Sequence, residues 1–115
     1  MSSPPDDQVL PLSPTDFHVL LVLASDDLYG YAIQKAIDEE SGGTVRPEIG
    51  SLYRVLGRLM AGGMVDEADG PQPAPDTHRG RPRRYYRLTS RGLGALKADA
   101  RRMEGALRIA RVRLG

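Results

Sequence analysis

The last quarter of the chain carries the constraint that most narrows its fold. Leu93, Leu96, Ala100, Met103, Leu107, Ala110 and Leu114 recur at alternating intervals of three and four, a heptad seam held for three repeats. Thr89 in front of them supplies an N-cap hydroxyl, so the pattern predicts a final helix of about 25 residues, roughly 37 Å long at 1.5 Å per residue. With 115 residues and 12.5 kDa, the chain has length for one domain and one small core. A domain of that size has little surface of its own to cover so long a stripe, and self-association is the simplest way to bury it. Packing back onto the same domain is the alternative. Ala100 and Ala110 relax a strict coiled coil and either permit close approach or leave room for a small apolar ligand between paired helices.

What precedes the seam reads as three helices and a hairpin. Residues 1–12, with three prolines, two serines and Asp6-Asp7, predict an unstructured arm whose end, Leu10 and Leu12, packs onto the domain. Ser13-Pro14-Thr15-Asp16 sets an N-cap serine, a first-turn proline and an acid at the start of a helix over about Pro14 to Ser25. There Phe17, Leu20, Leu21 and Ala24 form one stripe, and Val19, Val22 and Leu23 extend it almost all round, so this helix is either the centre of the core or also meets a partner. Asp26-Asp27 is expected to cap a second helix, Leu28 to about Glu40, that Ser41-Gly42-Gly43 ends. Pro47 is expected to open a third, to about Ala61, with Leu52, Leu56 and Leu59 inward and Ser51, Arg54 and Arg58 outward beside Tyr53.

Gly62-Gly63 stops that helix, and Met64 to Ala68 alternates like a short strand. Prolines at 71, 73 and 75 forbid regular structure until Arg83 to Leu88 resumes a β-rich pattern, in which alternation with Leu88 turns Tyr86 to the core. The order predicts a mainly α (α+β) fold: a winged helix-turn-helix over residues 13–88 with a two-stranded β wing, followed by a long C-terminal pairing helix over 89–115.

Charge gives this order a use. Residues 1–45 hold eight acids and one base, a net of −7, whereas residues 46–115 hold fifteen bases and seven acids, a net of +8. Within the latter, Arg79, Arg81, Arg83, Arg84, Arg87 and Arg91 place six bases and no acid in thirteen residues on the hairpin. Like charges repel over a Debye length of about 8 Å, and an external polyanion relieves that repulsion. The guanidinium fork matches phosphate oxygens, so a wing on duplex DNA explains the run; pairing with Asp66, Glu67, Asp69 and Asp76 is the alternative. In a helix-turn-helix the second helix of the pair enters the major groove, and Ser51, Tyr53, Arg54 and Arg58 suit that face, with Gly50 leaving the backbone open to a phosphate. Tyr31 and Lys35 near the start of the second helix complete the candidate DNA surface.

Other chemistry finds no footing in the residues. The chain has no Cys, hence no disulfide and no thiolate metal site, which suits a reducing cytoplasm. The longest apolar run, Val19 to Ala24, is far short of the roughly 20 residues that span a bilayer, and the opening residues lack the basic-then-apolar order of a signal peptide, so no membrane role and a cytoplasmic location are expected. His18 reads as a partly buried structural residue and His78 as a solvated one; no catalytic constellation, metal site or cofactor is expected.

Four stretches, Leu28-Tyr29-Gly30-Tyr31-Ala32-Ile33, Gly50-Ser51-Leu52-Tyr53-Arg54-Val55-Leu56-Gly57-Arg58-Leu59, Gly63-Met64-Val65 and Arg83-Arg84-Tyr85-Tyr86-Arg87-Leu88-Thr89-Ser90-Arg91-Gly92, resemble in that order the PadR-like winged-helix transcriptional regulators. The likeness runs over about residues 11–110 and favours the shorter members that end in one long helix. It implies a bacterial repressor that dimerises through its first and last helices, which adds Phe17, Leu20 and Leu21 to the pairing surface. Tyr31, Ser51, Tyr53 and Arg54 then correspond to the DNA-facing set and Arg81, Arg83 and Arg84 to the wing. The partners implied are double-stranded operator DNA, a second copy of the chain, and a small apolar or aromatic effector. The rival readings are a winged-helix protein-interaction module and a small-aromatic-ligand sensor without a DNA target of its own.

Overall fold

A computed structural model describes residues 10–71 and 83–115. In chain order the elements are α1 (Pro14–Leu23), β1 (Leu28–Tyr29), α2 (Gly30–Glu40), α3 (Ile49–Ala61), β2 (Val65–Ala68), β3 (Tyr85–Leu88) and α4 (Ser90–Leu114). The expected arm over residues 1–9 and the tip of the hairpin, with Asp76, His78, Arg79 and Arg81, lie outside the described residues.

Helix α1 starts as its sequence dictates, with the Asp16 amide donating to Ser13 Oγ at 3.1 Å and Pro14 in the first turn. It is the centre of the core: Val19 and Leu20 are fully buried, and Val22 and Leu23 nearly so. Around it pack Ile33 and Ile37 of α2, Leu52, Leu56 and Leu59 of α3, Val65, Tyr86, and Ala95 and Leu96 of α4. Leu12 is buried there too, and Leu10 packs against the same cluster.

Three local expectations are corrected. Helix α1 ends at Leu23, and Asp26-Asp27 cap nothing; the chain extends through Leu28 and Tyr29, which pair antiparallel with β3 as Leu28 with Tyr86 and Tyr29 with Tyr85. Helix α2 therefore begins at Gly30, with no side-chain cap. The sheet accordingly has three strands in the order β1-β3-β2 instead of two, because β3 offers a second edge that the extended Leu28-Tyr29 segment satisfies. Helix α3 begins at Ile49, and Pro47 stays in the turn, where its carbonyl accepts a hydrogen bond from Gln34 Nε2 at 3.0 Å.

That turn holds α3 at a fixed angle to α2. Gly42 and Gly43 take positive φ of 64° and 80°, the left-handed conformation that closes a helix C-terminus. Ser41 Oγ then accepts from the Val45 amide at 3.0 Å.

Helix α4 is fastened at its first turn. Thr89 Oγ1 accepts from the Gly92 amide at 3.0 Å and donates to the Gly63 carbonyl at 2.6 Å, while the Thr89 amide donates to the Met64 carbonyl at 3.2 Å. So close an approach leaves no room at Gly92, where a Cβ would run into the Met64 carbonyl and Leu88. Farther along, Asp99 is buried at 1% exposure and accepts from Arg102 Nε at 2.7 Å. Gly94, two residues on from Gly92, faces open space. Gly92→Ala is therefore expected to cost about 2 kcal/mol through overpacking, and Gly94→Ala to gain up to about 1 kcal/mol from helix propensity. Thermal unfolding followed by circular dichroism checks this; a shift of the same sign in both variants would contradict the proposed packing of α4.

Candidate nucleic-acid interface

Tyr53 is where the pieces of the candidate surface meet. It projects from α3 at 44% exposure, and its ring lies over Gly30 at the start of α2, so that a Cβ at residue 30 would strike the phenol. Burial pushes its phenol above the ordinary range; the nearby Tyr86 and Tyr31 phenols act in the same direction, and Arg84 acts against them. The hydroxyl thus stays protonated and can donate. Tyr53 thus reaches from α3 to the start of α2 while keeping its ring partly exposed.

Around it the structure places the expected residues unequally. Tyr31 is 61% exposed, and Lys35, Gly50 and Arg54 are exposed, with open space at the missing Gly50 side chain. Ser51 is half-buried and accepts from Arg54 Nη2 at 3.1 Å, so the two form one polar unit on the first turns of α3. Among the described residues, no acid forms an ion pair with Lys35 or Arg54. Lys35 also lines a polar groove of about 450 Å³ with Gln34, Asp38, Arg46, Pro47 and Glu48, in which Arg46 Nε lies 3.4 Å from Asp38.

Arg58 departs from expectation. Its guanidinium turns to α1, with Nη1 donating to Asp16 Oδ2 at 3.0 Å and Nη2 to Oδ1 at 2.7 Å. The sequence reading gave Asp16 only to the start of α1, where it also lies, and a contact across 42 residues leaves no periodic trace.

On the sheet, Arg83 stacks over the Tyr29 ring at 4.3 Å from its centroid, and Tyr29 in turn meets Tyr85 edge-on at 5.5 Å. Both Tyr85 and Tyr86 are buried: Tyr86 enters the core, and Tyr85 is covered on the opposite face. Arg84 lies 3.4 Å from Glu67, and Arg87 lies 3.1 Å from Asp66, so the acid-paired alternative describes these two arginines.

The pairing stripe also divides. Leu20 and Leu96 were expected in it, yet they are 0% and 6% exposed and belong to the chain's own core, leaving them nothing to offer a partner. Phe17 and Leu21 are half-buried on α1. Leu93, Ala100, Met103, Leu107 and Leu114 are exposed on α4, and Ala110 is intermediate. Ile109 and Val112, outside the 3-4 spacing and missed for that reason, are also exposed.

Comparison with known proteins now decides the family. Residues 19–98 match the profile described as "Transcriptional regulator PadR-like family". The chain belongs to that family. This PadR-like chain shares its fold with a transcriptional regulator from Clostridium thermocellum, at 25% identity and a TM-score of 0.66 over 84% of this chain and 86% of the other. It is similar also to a PadR family transcription regulator from Clostridium difficile R20291, at 22% identity and a TM-score of 0.72, covering 90% of this chain and all of that one. Bacillus subtilis PadR in complex with operator DNA matches with a TM-score of 0.60 at 22% identity, over 72% of this chain and 44% of the other. An 85-residue stretch, 74% of the chain, is 39% identical to an uncharacterized 37.1 kDa protein in transposon TN4556 of Streptomyces fradiae, of whose length it spans 21%. The PadR-like family is one of transcriptional regulators, and its winged helix is the architecture described above. No helix among the described residues is long and apolar enough to cross a membrane.

The raised phenol of Tyr53 has a measurable sign. A folded state that holds a proton more tightly than the unfolded state loses stability as pH rises above the unfolded value, about 10 for tyrosine. Tyr53→Phe is expected to flatten the fall in stability that begins above about pH 10, as read from denaturant midpoints. An unchanged slope would mean that the ring is not held over α2 as described.

Proposed function

We propose that this PadR-like chain is a repressor that binds an inverted-repeat operator as a homodimer, with α3 in the major groove and the start of β3 on the flanking backbone. The observation that carries the reading is the exposed first half of α3, where Arg54 has no acidic partner among the described residues and hydrogen-bonds Ser51, next to Tyr53, whose ring reaches the start of α2. Arg54 is suited to reading a base edge, and Arg83, stacked on Tyr29, to holding phosphate. Binding of operator DNA by Bacillus subtilis PadR, which shares the fold, supports the assignment. The remaining face of α4, with Met103, Leu107 and Leu114, is taken by a second copy, which sets two α3 helices about 34 Å apart, one turn of duplex. A small apolar or aromatic effector between the paired helices would shift that spacing and release the operator.

Selection of bound duplexes from a random pool tests the class directly: an inverted repeat with half-sites one turn apart is expected, and no enrichment would overturn the reading. If each subunit neutralises about four phosphates, log K falls with log salt with a slope near −7. Arg54→Ala is expected to reduce discrimination between operator and random DNA by about tenfold or more, whereas Arg83→Ala weakens both about equally. Equal behaviour of the two variants in fluorescence anisotropy titrations would undo the division between groove and backbone contacts.

Leu107→Asp places a charge in the middle of the exposed α4 face, 49% open in the single chain. It is expected to shift the protein to monomer in sedimentation experiments while leaving the far-ultraviolet spectrum of the winged helix in place, and to remove the preference for a repeated site. A dimer that survives the substitution would place the interface elsewhere.

A further inference from the structure

The contact between Arg58 and Asp16 joins the reading helix to the helix expected to pair. Asp16 lies in the first turn of α1, with its side chain 10% exposed; Arg58 lies near the end of α3, with its side chain 59% exposed. The two parallel hydrogen bonds, at 3.0 and 2.7 Å, form a fork-to-carboxylate contact that fixes orientation as well as distance, which a single-point ammonium contact would not. To reach a phosphate with both of these nitrogens, Arg58 would have to leave a largely buried carboxylate unpaired, a costly exchange. The same turn of α1 continues into Phe17, and Leu21 follows one turn on; both are half-buried and remain partly open on the surface. One end of α1 therefore touches the base of α3, and its partly open apolar residues lie on the face assigned to the partner.

We propose that Asp16 and Arg58 are a positioning pair that sets the separation and tilt of the two α3 helices in the dimer, and with it the half-site spacing the protein accepts. Arg58 acts through Asp16 and does not itself contact DNA. The inference rests on the dimeric operator-binding reading and adds to it the element that measures spacing.

The test uses the full chain as wild type, Asp16→Asn, Arg58→Gln, the double variant and Arg58→Lys, each titrated with an isolated half-site and with inverted repeats whose spacer varies by single base pairs. The two single variants are expected to keep the half-site base preference and salt slope of the wild type, while preference for the best spacer over its neighbours falls about fivefold or more. The double variant is expected to be no worse than either single one, since each removes the same interaction. Arg58→Lys, which keeps the charge and loses the fork, is expected to relax spacing in part, and it serves where Arg58→Gln does not fold.

Other outcomes overturn the proposal. If Arg58 is a DNA ligand, Arg58→Gln lowers the salt slope by about one per subunit, and Asp16→Asn, which frees the guanidinium, binds more tightly. If the pair is only structural, melting temperatures fall in both variants while spacing preference stays as in the wild type. A wild type that selects no repeated site removes the dimeric reading itself, whereas a spacing-selective wild type with equally selective variants removes only the pair's role.

Discussion

The pairing of β3 on both of its edges is the constraint on which the rest of the molecule depends. Four residues, Tyr85 to Leu88, hydrogen-bond to β1 on one side and β2 on the other. Because a strand alternates faces, Tyr86 fills the core beneath the sheet while Tyr85 covers the other face against Tyr29. Strand β1 leads straight into α2, β2 follows directly from α3, and β3 runs through Thr89 into α4. Helices α2, α3 and α4 are thus each joined to this small sheet, and backbone hydrogen bonds fix where each enters or leaves it.

The sequence displayed the parts of this arrangement that have local causes. Ser13-Pro14 and Thr89 announce helix starts because a hydroxyl at the cap satisfies free amides within three residues, and the structure contains both bonds. Gly63, with φ of 78°, ends α3 because the backbone there must turn left-handed. Strand β1 was hidden for the opposite reason. Two residues cannot show a period, and the partner that makes them a strand lies 56 positions farther on. A separation of 42 positions conceals the Asp16 to Arg58 contact in the same way. Leu20 and Leu96 illustrate another limit: a stripe has a period, but the period does not say which side chains of the stripe the domain itself has already covered.

That limit bears on α4. Its first ten residues supply Gly92, Ala95, Leu96 and Asp99 to the folded domain, and beyond Asp99 no residue is fully buried. Isolated helices shorter than about 12 to 15 residues are marginal in water, so the distal part gains little from propensity alone. Exposed Leu107, Ile109, Val112 and Leu114, 49%, 53%, 83% and 84% open, lie among Arg108, Arg111 and Arg113. At about 100° per residue, Ile109 and Val112 point away from the Met103, Leu107, Ala110 and Leu114 seam, so a partner laid only along that seam would leave them wet. The exposed apolar surface of α4 is accordingly broader than the heptad spacing alone indicates, and in the proposed dimer a partner contacting more than one side of the helix covers it best.

The arginines sort by how firmly each is already held. Arg84 and Arg87 face Glu67 and Asp66 in exposed surroundings, where an ion pair gains little because water screens it and two long side chains must be ordered. A phosphate can displace such partners at small cost, so these two guanidinium groups are pre-aligned along the sheet yet available. Arg83 is held by an aromatic face, a contact that orients the guanidinium without tying it to an acid among the described residues. Among the described residues, Arg54 is tied only to a neighbouring hydroxyl. Arg58, by contrast, has a largely buried carboxylate as its partner, and giving that up would strand a charge where water does not reach it well. Equal formal charge thus conceals unequal commitment. The residues best able to meet an external anion are those whose present partners are exposed or uncharged, which favours the first half of α3 and the residues around β3 for the proposed contact with DNA, and the last turn of α3 for holding the helix in place.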